Sequence, residues 1–335
     1  MDSRDGPGSA IRTLRVAAVQ MPSRLAAIDE NLALASTLAA RAAGGGAGLV
    51  LFHELMPGGY AWDETAWSSA EPSNGQTARW LREIAGRLGI WAGTSFLEAS
   101  GEDFWNTFVL AGPDGTEAGR VRKEFASMFE ARTFRGDAGP HVIETAIGRI
   151  GVEICFDAHT AVVARKVATA GVDLILAPHC YCVPRRPTRS VSQADIERLT
   201  GNLADIAPLY ARTLGVPAIV TNRVGDWDVP KGDSFVFPGR ATIADSDGTV
   251  LASLGSDEGI AIADVHLDPA RKTGTAPRAF GRYIYPGPPG RELLRALEWY
   301  EGLRYARSDR RRREAAEISA GPVRHHSLSS EAPRP

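Results

Sequence analysis

GRIGVEICFDAHT (148–160) joins an apolar, β-branched run to the helical pattern Ala161–Ala170, and Cys155 stands where one gives way to the other. A strand, a sharp turn and a helix in succession expose a side chain at the turn and leave backbone N–H groups placed to receive a negative oxygen. A cysteine at the end of a buried strand is also ordinary packing. Taken alone, the stretch leaves catalysis and burial equally open.

The same alternation extends on both sides. Upstream, 16–20 reads as a strand, 27–43 as a helix stopped by Gly44–Gly46, 48–52 as a strand, 77–88 as a helix and 90–97 as a strand. From Phe104 the rhythm changes to strands over 107–111, Glu117–Arg122 and 149–155 with few helices between them. Downstream, alternation resumes with a strand over 174–177, a helix over 203–214 and a strand over Ala218–Asn222, followed by strands over 241–245, 250–254 and 259–265. An α/β fold with mixed, many-stranded sheets follows. No fixed-period repeat divides the chain. Residues 13–305 read as one domain, with a polar N-terminal tail over 1–12 and a basic, flexible C-terminal tail over 306–335. Residues 288–307 carry Leu293, Leu294, Leu297, Trp299 and Leu303 at near-helical spacing, a helix that packs on the domain or on a partner subunit.

Composition narrows the function. The 335 residues are 44% hydrophobic, enough for a substantial core, and 38 basic against 40 acidic residues give no field to attract nucleic acid or an anionic membrane. No apolar run approaches the ~20 residues of a membrane span, and no secretory leader is readable. Cys155, Cys180 and Cys182 are too few and odd in number for a disulfide framework. A cytoplasmic protein acting on a small molecule is expected.

Two further strand ends carry chemistry. Glu54, in GLVLFHELMPGGY (48–60), follows an apolar strand and precedes a loop with two glycines, which suits either a catalytic carboxylate or a loop salt bridge. Lys123, in AGRVRKEFASMFEARTFRGD (118–137), also ends a strand, where a lysine is ordinarily a solvated charge.

In order, Glu54, Lys123 and Cys155 resemble the catalytic glutamate, lysine and cysteine of the nitrilase superfamily of carbon–nitrogen hydrolases. The resemblance covers about residues 14–267: RVAAVQMPS (15–23) with Asn31, FWNTFVLAGPDGT (104–116), VPAIVTNRVG (216–225) and FPGRATIADSDGTVLA (237–252) are similar to the family's segments in the family's order. It implies a four-layer α-β-β-α sandwich with two mixed β-sheets, commonly a homodimer, with Trp299 and Tyr300 at the interface. It also implies that Glu54 is the base, that Lys123 and the Phe156 N–H stabilise the oxyanion, and that an acyl-thioester forms on Cys155 without metal or organic cofactor. Glu130 takes the place of the family's second glutamate; Glu124 competes, and Phe134–Asp137 favours Glu130. The Pro-Glu pair common after the cysteine is replaced by Ala161 and Val162. Thr160 reads as a helix cap, while His159 divides between capping and substrate contact.

The expected substrate is a small amide or N-carbamoyl compound, with nitrile hydrolysis or acyl transfer as alternatives. Tyr60, Trp62 and Trp105 are candidate pocket walls. So is the stretch from His179, where Arg185, Arg186 and Arg189 are candidate carboxylate ligands; a zinc site at His179, Cys180 and Cys182 lacks a second ligand pair. A papain-like cysteine–histidine enzyme and a non-catalytic binding protein remain the rival classes.

Overall fold

The computed structural model describes residues 10–228, 234–286 and 291–321. Its first half contains β1 (Arg12–Gln20), α1 (Ile28–Gly44), β2 (Leu49–Leu51), β3 (Glu71–Pro72), α2 (Gln76–Leu88), β4 (Trp91–Ser100), β5 (Asp103–Ala111) and β6 (Glu117–Arg122). Then come β7 (Val142–Thr145), β8 (Gly148–Val152), α3 (Ala161–Ala170), β9 (Leu174–His179), β10 (Val183–Pro184), α4 (Gln193–Leu214) and β11 (Ala218–Asn222). The rest comprises β12 (Val224–Asp228), β13 (Ser234–Pro238), β14 (Thr242–Ala244), β15 (Val250–Ser253), β16 (Gly259–Leu267), α5 (Arg291–Arg307) and α6 (Asp309–Ser319).

Period-two alternation decides which layer each side chain enters. In β1, Val16 and Ala18 face one core while Ala17 and Val19 face another; in β9, Leu174 and Leu176 divide from Ile175 and Ala177 in the same way. The shared core lies between two sheets of order β16-β1-β2-β4-β5-β6, with β3 against β4, and β15-β14-β11-β9-β8-β7. The outer cores are closed by α1 and α2 over the first sheet and by α3 and α4 over the second. On α2, Leu81, Ile84 and Ala85 make the buried stripe. The result is the four-layer α-β-β-α sandwich. Within it β1, β2 and β4 run parallel, as do β8, β9 and β11, so several strands deliver their C-terminal ends to one edge.

The structure corrects several expectations. β8 stops at Val152, and Cys155 stands in a 3-10 turn, Cys155–His159, rather than in the strand. Helix α4 starts at Gln193, ten residues before the expected 203, because Ser192 and Asp195 form a capping box there. A small third sheet, β10-β13-β12, was not expected.

The basic stretch read as a flexible tail is, over Asp309–Ser319, helix α6. Ser308 caps it, Arg310 pairs with Glu314 one turn on, and Arg311 and Ala315 are buried, with Arg311 paired to Asp103. The remainder of that expected tail, 322–335, and residues 1–9 of the N-terminal one lie outside the described residues. No helix among the described residues is long and apolar enough to cross a membrane.

Candidate active site

Glu54 follows β2, Lys123 follows β6, Cys155 follows β8 and Cys180 follows β9. Both sheets therefore contribute strand ends to one place. Glu54 and Lys123 are fully buried, and Glu130 and Cys155 are nearly so. Such polar burial is tolerated only with complete partnering, and the partners are there. Glu54 Oε1 accepts from Lys123 Nζ at 2.8 Å and from Asn106 Nδ2 at 2.7 Å, while Oε2 accepts the Cys180 N–H at 2.9 Å. The other arm of Lys123 donates to Glu130 Oε2 at 2.7 Å. Glu130 in turn accepts the Tyr60 hydroxyl at 2.7 Å and the Ser127 N–H at 2.8 Å, the latter closing a capping box on the 3-10 turn Met128–Arg132. The Cys155 thiol lies close enough to the Glu54 carboxylate and the Cys180 N–H for both to act on its proton.

Backbone strain collects at the same place. Five non-glycine residues among those described have positive φ, and three of them border this group: Leu55 (+48°), Met128 (+51°) and Cys155 itself (+51°). Each such left-handed residue costs of order 1–2 kcal/mol. At Cys155 the conformation swings the thiol out of the β8 line into the turn. The Phe156 amide stands second in the turn, among the early N–H groups that have no partner within it. Close approach also shapes the Lys123 segment: a Cβ at Gly136 would meet the Glu124 carbonyl oxygen at 2.1 Å, while Asp137 N–H reaches the Lys123 carbonyl at 3.0 Å.

Electrostatics follow from burial and neighbours. Burial raises the Glu54 pKa and outweighs the pull of the Lys123 charge. Burial opposes the Lys123 ammonium, yet the carboxylates of Glu130 and Glu54 hold its pKa well above the usual lysine value. Burial, reinforced by the Glu54 charge, pushes the Cys155 thiol up, so it rests protonated beside a carboxylate able to take its proton. His179 is fully buried and His159 half-buried, and desolvation lowers their pKa values to about 3 and about 4, with Lys123 adding to both, so the rings are neutral.

The remaining expected residues divide. Tyr60 joins the group through Glu130, with Trp62 Nε1 donating to its hydroxyl at 2.9 Å. Phe156, His159 and His179 sit together: the His159 ring is 6.5 Å from Phe156 and 5.7 Å from His179, and it stacks on Tyr181. Thr160 caps α3, accepting the Val163 N–H. Glu124 is engaged elsewhere, by Lys166 at 2.7 Å and His141 at 3.1 Å.

Trp105 is a correction. Asn106 points to Glu54, so its strand neighbour is carried to the opposite face of β5, where the Arg122 guanidinium lies 4.4 Å over the indole. The Arg185 guanidinium pairs with Asp226, across the third sheet.

One residue sequence reasoning missed is Asp157, fully buried, whose carboxylate accepts the Glu124 and Phe125 N–H groups at 3.1 and 2.9 Å. It ties the segment after Lys123 to the turn of Cys155; burial raises its pKa to about 6. Its only sequence signal is an acidic residue two positions after the cysteine.

Comparison with known proteins agrees with this geometry. The family model for carbon-nitrogen hydrolases matches residues 15–275. A protein named nitrilase from Pyrococcus abyssi is 28% identical over 76% of this chain and 90% of its own length. N-carbamoylputrescine amidase of Solanum lycopersicum is 28% identical over 72% of this chain and 82% of its own. Among solved structures, a carbon-nitrogen hydrolase from Helicobacter pylori G27 superposes with a TM-score of 0.65 at 21% identity, covering 78% of this chain and 91% of that one. With the family model spanning most of the chain and the fold shared, the protein belongs to the carbon–nitrogen hydrolases of the nitrilase superfamily and is a hydrolase acting on C–N bonds.

Proposed function

We propose that the protein hydrolyses small amides or N-carbamoyl compounds through an acyl-thioester on Cys155. The observation that carries this reading is the buried group in which one carboxylate, Glu54, holds the Lys123 ammonium at 2.8 Å and lies beside the Cys155 thiol. Glu54 takes the thiol proton as sulfur attacks the carbonyl carbon, so no free thiolate has to be stored in the buried site. The developing oxyanion is met by Lys123 Nζ and the Phe156 N–H, both fixed beforehand. Glu54 returns its proton to the departing amine. Water, deprotonated by the same carboxylate, then attacks the thioester and releases the acid. Glu130 positions Lys123 and keeps it charged.

The amidase name of the Solanum relative supports amides and carbamoyl compounds over nitriles, while the Pyrococcus name keeps nitriles in the test. The test is ammonia release from a panel of small amides, ureido acids and nitriles, with Cys155→Ala alongside. Release from the amides or ureido acids, lost in the variant, is the expected result. Release from nitriles alone would reassign the substrate. No release, together with iodoacetamide labelling of Cys155 no faster than of Cys180 and Cys182, would leave a binding protein.

A further inference from the structure

His141 is a buried ring whose protonation follows from its partners. It stands one residue before β7 and is 1% exposed. Its carbonyl accepts the Val152 N–H at 2.9 Å, and its ring turns back to the same residue, with Nδ1 3.0 Å from the Val152 carbonyl oxygen. On the other side Nε2 lies 3.1 Å from Glu124 Oε2, which also accepts Lys166 Nζ at 2.7 Å.

A neutral imidazole offers one donor and one acceptor. Here both nitrogens face acceptors. The Val152 carbonyl oxygen can only accept, and Glu124 Oε2, already held by an ammonium, belongs to an ionised carboxylate: burial opposes that charge, but hydrogen bonds from His141 and Lys166 hold the Glu124 pKa below its usual value. Each ring nitrogen therefore carries a proton. The charges around the ring come from every neighbouring element: Glu124 from the segment after β6, Asp157 from the turn of Cys155, and Lys166 of α3 and Lys123 acting through those two carboxylates. With the ring charged, Glu124 and Asp157 are met by His141 and Lys166, as buried ions require. Burial opposes the imidazolium, yet the two carboxylates raise its pKa above the usual histidine value.

The ring also joins the two halves of the catalytic group. Glu124 adjoins Lys123 at the end of the first sheet, while Val152 ends β8 in the second, three residues before Cys155. We propose that His141 is an imidazolium and a positioning residue for the reaction, keeping the Lys123 segment in register with the strand that delivers Cys155 for as long as it holds both protons. This inference rests on the thioester reading above. Loss of the Nε2 proton sets a lone pair against the Glu124 carboxylate, and loss of the Nδ1 proton sets one against the Val152 carbonyl, so either breaks a tie. The tie is complete below the unfolded histidine pKa and is lost as pH rises through the folded one.

The test reads the ring and the reaction separately. Proton–nitrogen correlation spectra of histidine-labelled protein, assigned by the signal missing in His141→Gln, show both ring nitrogens protonated at pH 7 and one losing its proton above the ordinary histidine range. Over the same interval kcat for a small amide falls about 10-fold or more with little change in KM. Glu124→Gln removes the partner charge, so the ring titration and the fall in kcat move together to lower pH; a contact that merely held the fold would leave the midpoint of the kcat profile in place. An unprotonated ring nitrogen at pH 7 overturns the proposal. A titration without a counterpart in kcat, or one that Glu124→Gln moves while the kcat profile stays, overturns the positioning role and leaves the hydrolase reading intact. No turnover of any amide, with both nitrogens protonated, sinks the thioester reading and reduces His141 to a structural tie. Should His141→Gln not fold, the ring is assigned by the signal that Glu124→Gln shifts, and the wild-type comparison decides.

Discussion

Replacing Lys123 by Met tests the electrostatic design of the site without touching the thiol. The ammonium stands 2.8 Å from a Glu54 oxygen and 2.7 Å from a Glu130 oxygen, so those two oxygens are at most about 5.5 Å apart. At an effective dielectric near 20, like charges at that spacing repel by ~3 kcal/mol. Met fills most of the lysine volume, and the loss is therefore mainly the bridging charge. With it gone, at least one carboxyl has a folded-state pKa above its unfolded one, because burial and its neighbour now act unopposed. The folded protein then holds a proton that the unfolded chain releases, and its stability falls as pH rises through that window.

Lys123→Met is expected to cost ~3–5 kcal/mol near pH 8 and much less near pH 5.5, as read by urea denaturation. Adding Glu130→Gln removes one of the two carboxylates and should recover ~3 kcal/mol near pH 8. A destabilisation that is the same at both pH values, or no recovery in the double variant, would refute the claim that one lysine holds two buried carboxylates together.

Three other outcomes are expected. The acid limb of the kcat/KM–pH profile should lie above the ordinary glutamate range, because Glu54 must be ionised to act as base and burial raises its pKa; a limb at or below that range would contradict the assignment. Glu153 is fully buried, and neither of its carboxyl oxygens has a hydrogen-bond partner among the described residues, the nearby Tyr210 hydroxyl donating to the Ala158 carbonyl; burial raises its pKa well above the usual value. Glu153→Leu should therefore stabilise the fold by ~1–3 kcal/mol near neutral pH and by less in acid, where the carboxyl is protonated in both states; chemical denaturation at two pH values checks this. Light scattering should give the mass of a dimer, with Trp299 (68% exposed) and Tyr300 (54%) as contacts; a monomer mass, or a dimer indifferent to Trp299→Ala, would end that assignment.

The layers were legible because burial writes them into the sequence: alternation in β1 and β9 and the 3.6-residue stripe of α2 each require their apolar positions. Helix α6 was misread for the same kind of reason. A run of arginines looks uniformly solvated, but Arg311 and Ala315 are four apart and share a buried face. The first turns of α4 carry little apolar periodicity, so only the Ser192 cap could have marked its start.

Trp105 could have been excluded on alternation alone once Asn106 was assigned to the site. The Cys180 N–H and Asp157 were beyond reach, since each depends on which strand ends meet, Cys180 and Glu54 being 126 residues apart and Asp157 and Phe125 32 apart.

The two-sheet origin of the site explains why its strain is tolerated. Glu54 and Lys123 come from one sheet, and Cys155 and Cys180 from the other, so their spacing is set by the core that both sheets share, including Leu51, Phe108, Val121, Val152, Ile154 and Leu176. A close-packed interior has two ways to respond to a lost methylene, a cavity or a shift, and either costs energy. Left-handed backbone at Leu55, Met128 and Cys155 can persist because relaxing any one of them would break hydrogen bonds that cross between the sheets, such as Cys180 N–H to Glu54 and the Glu124 and Phe125 amides to Asp157. Asp157 is then a positioning residue. With Asp157→Asn, one of its two oxygens becomes an amide nitrogen that cannot accept an N–H, so one cross-link is lost while the side-chain volume is kept. The expected effect is a loss in kcat with little change in KM, because the thiol and the ammonium lose register while the substrate's distal contacts survive. A variant that instead lost KM alone, at unchanged kcat, would show that the link between the sheets serves binding and not the alignment of Cys155 with Lys123.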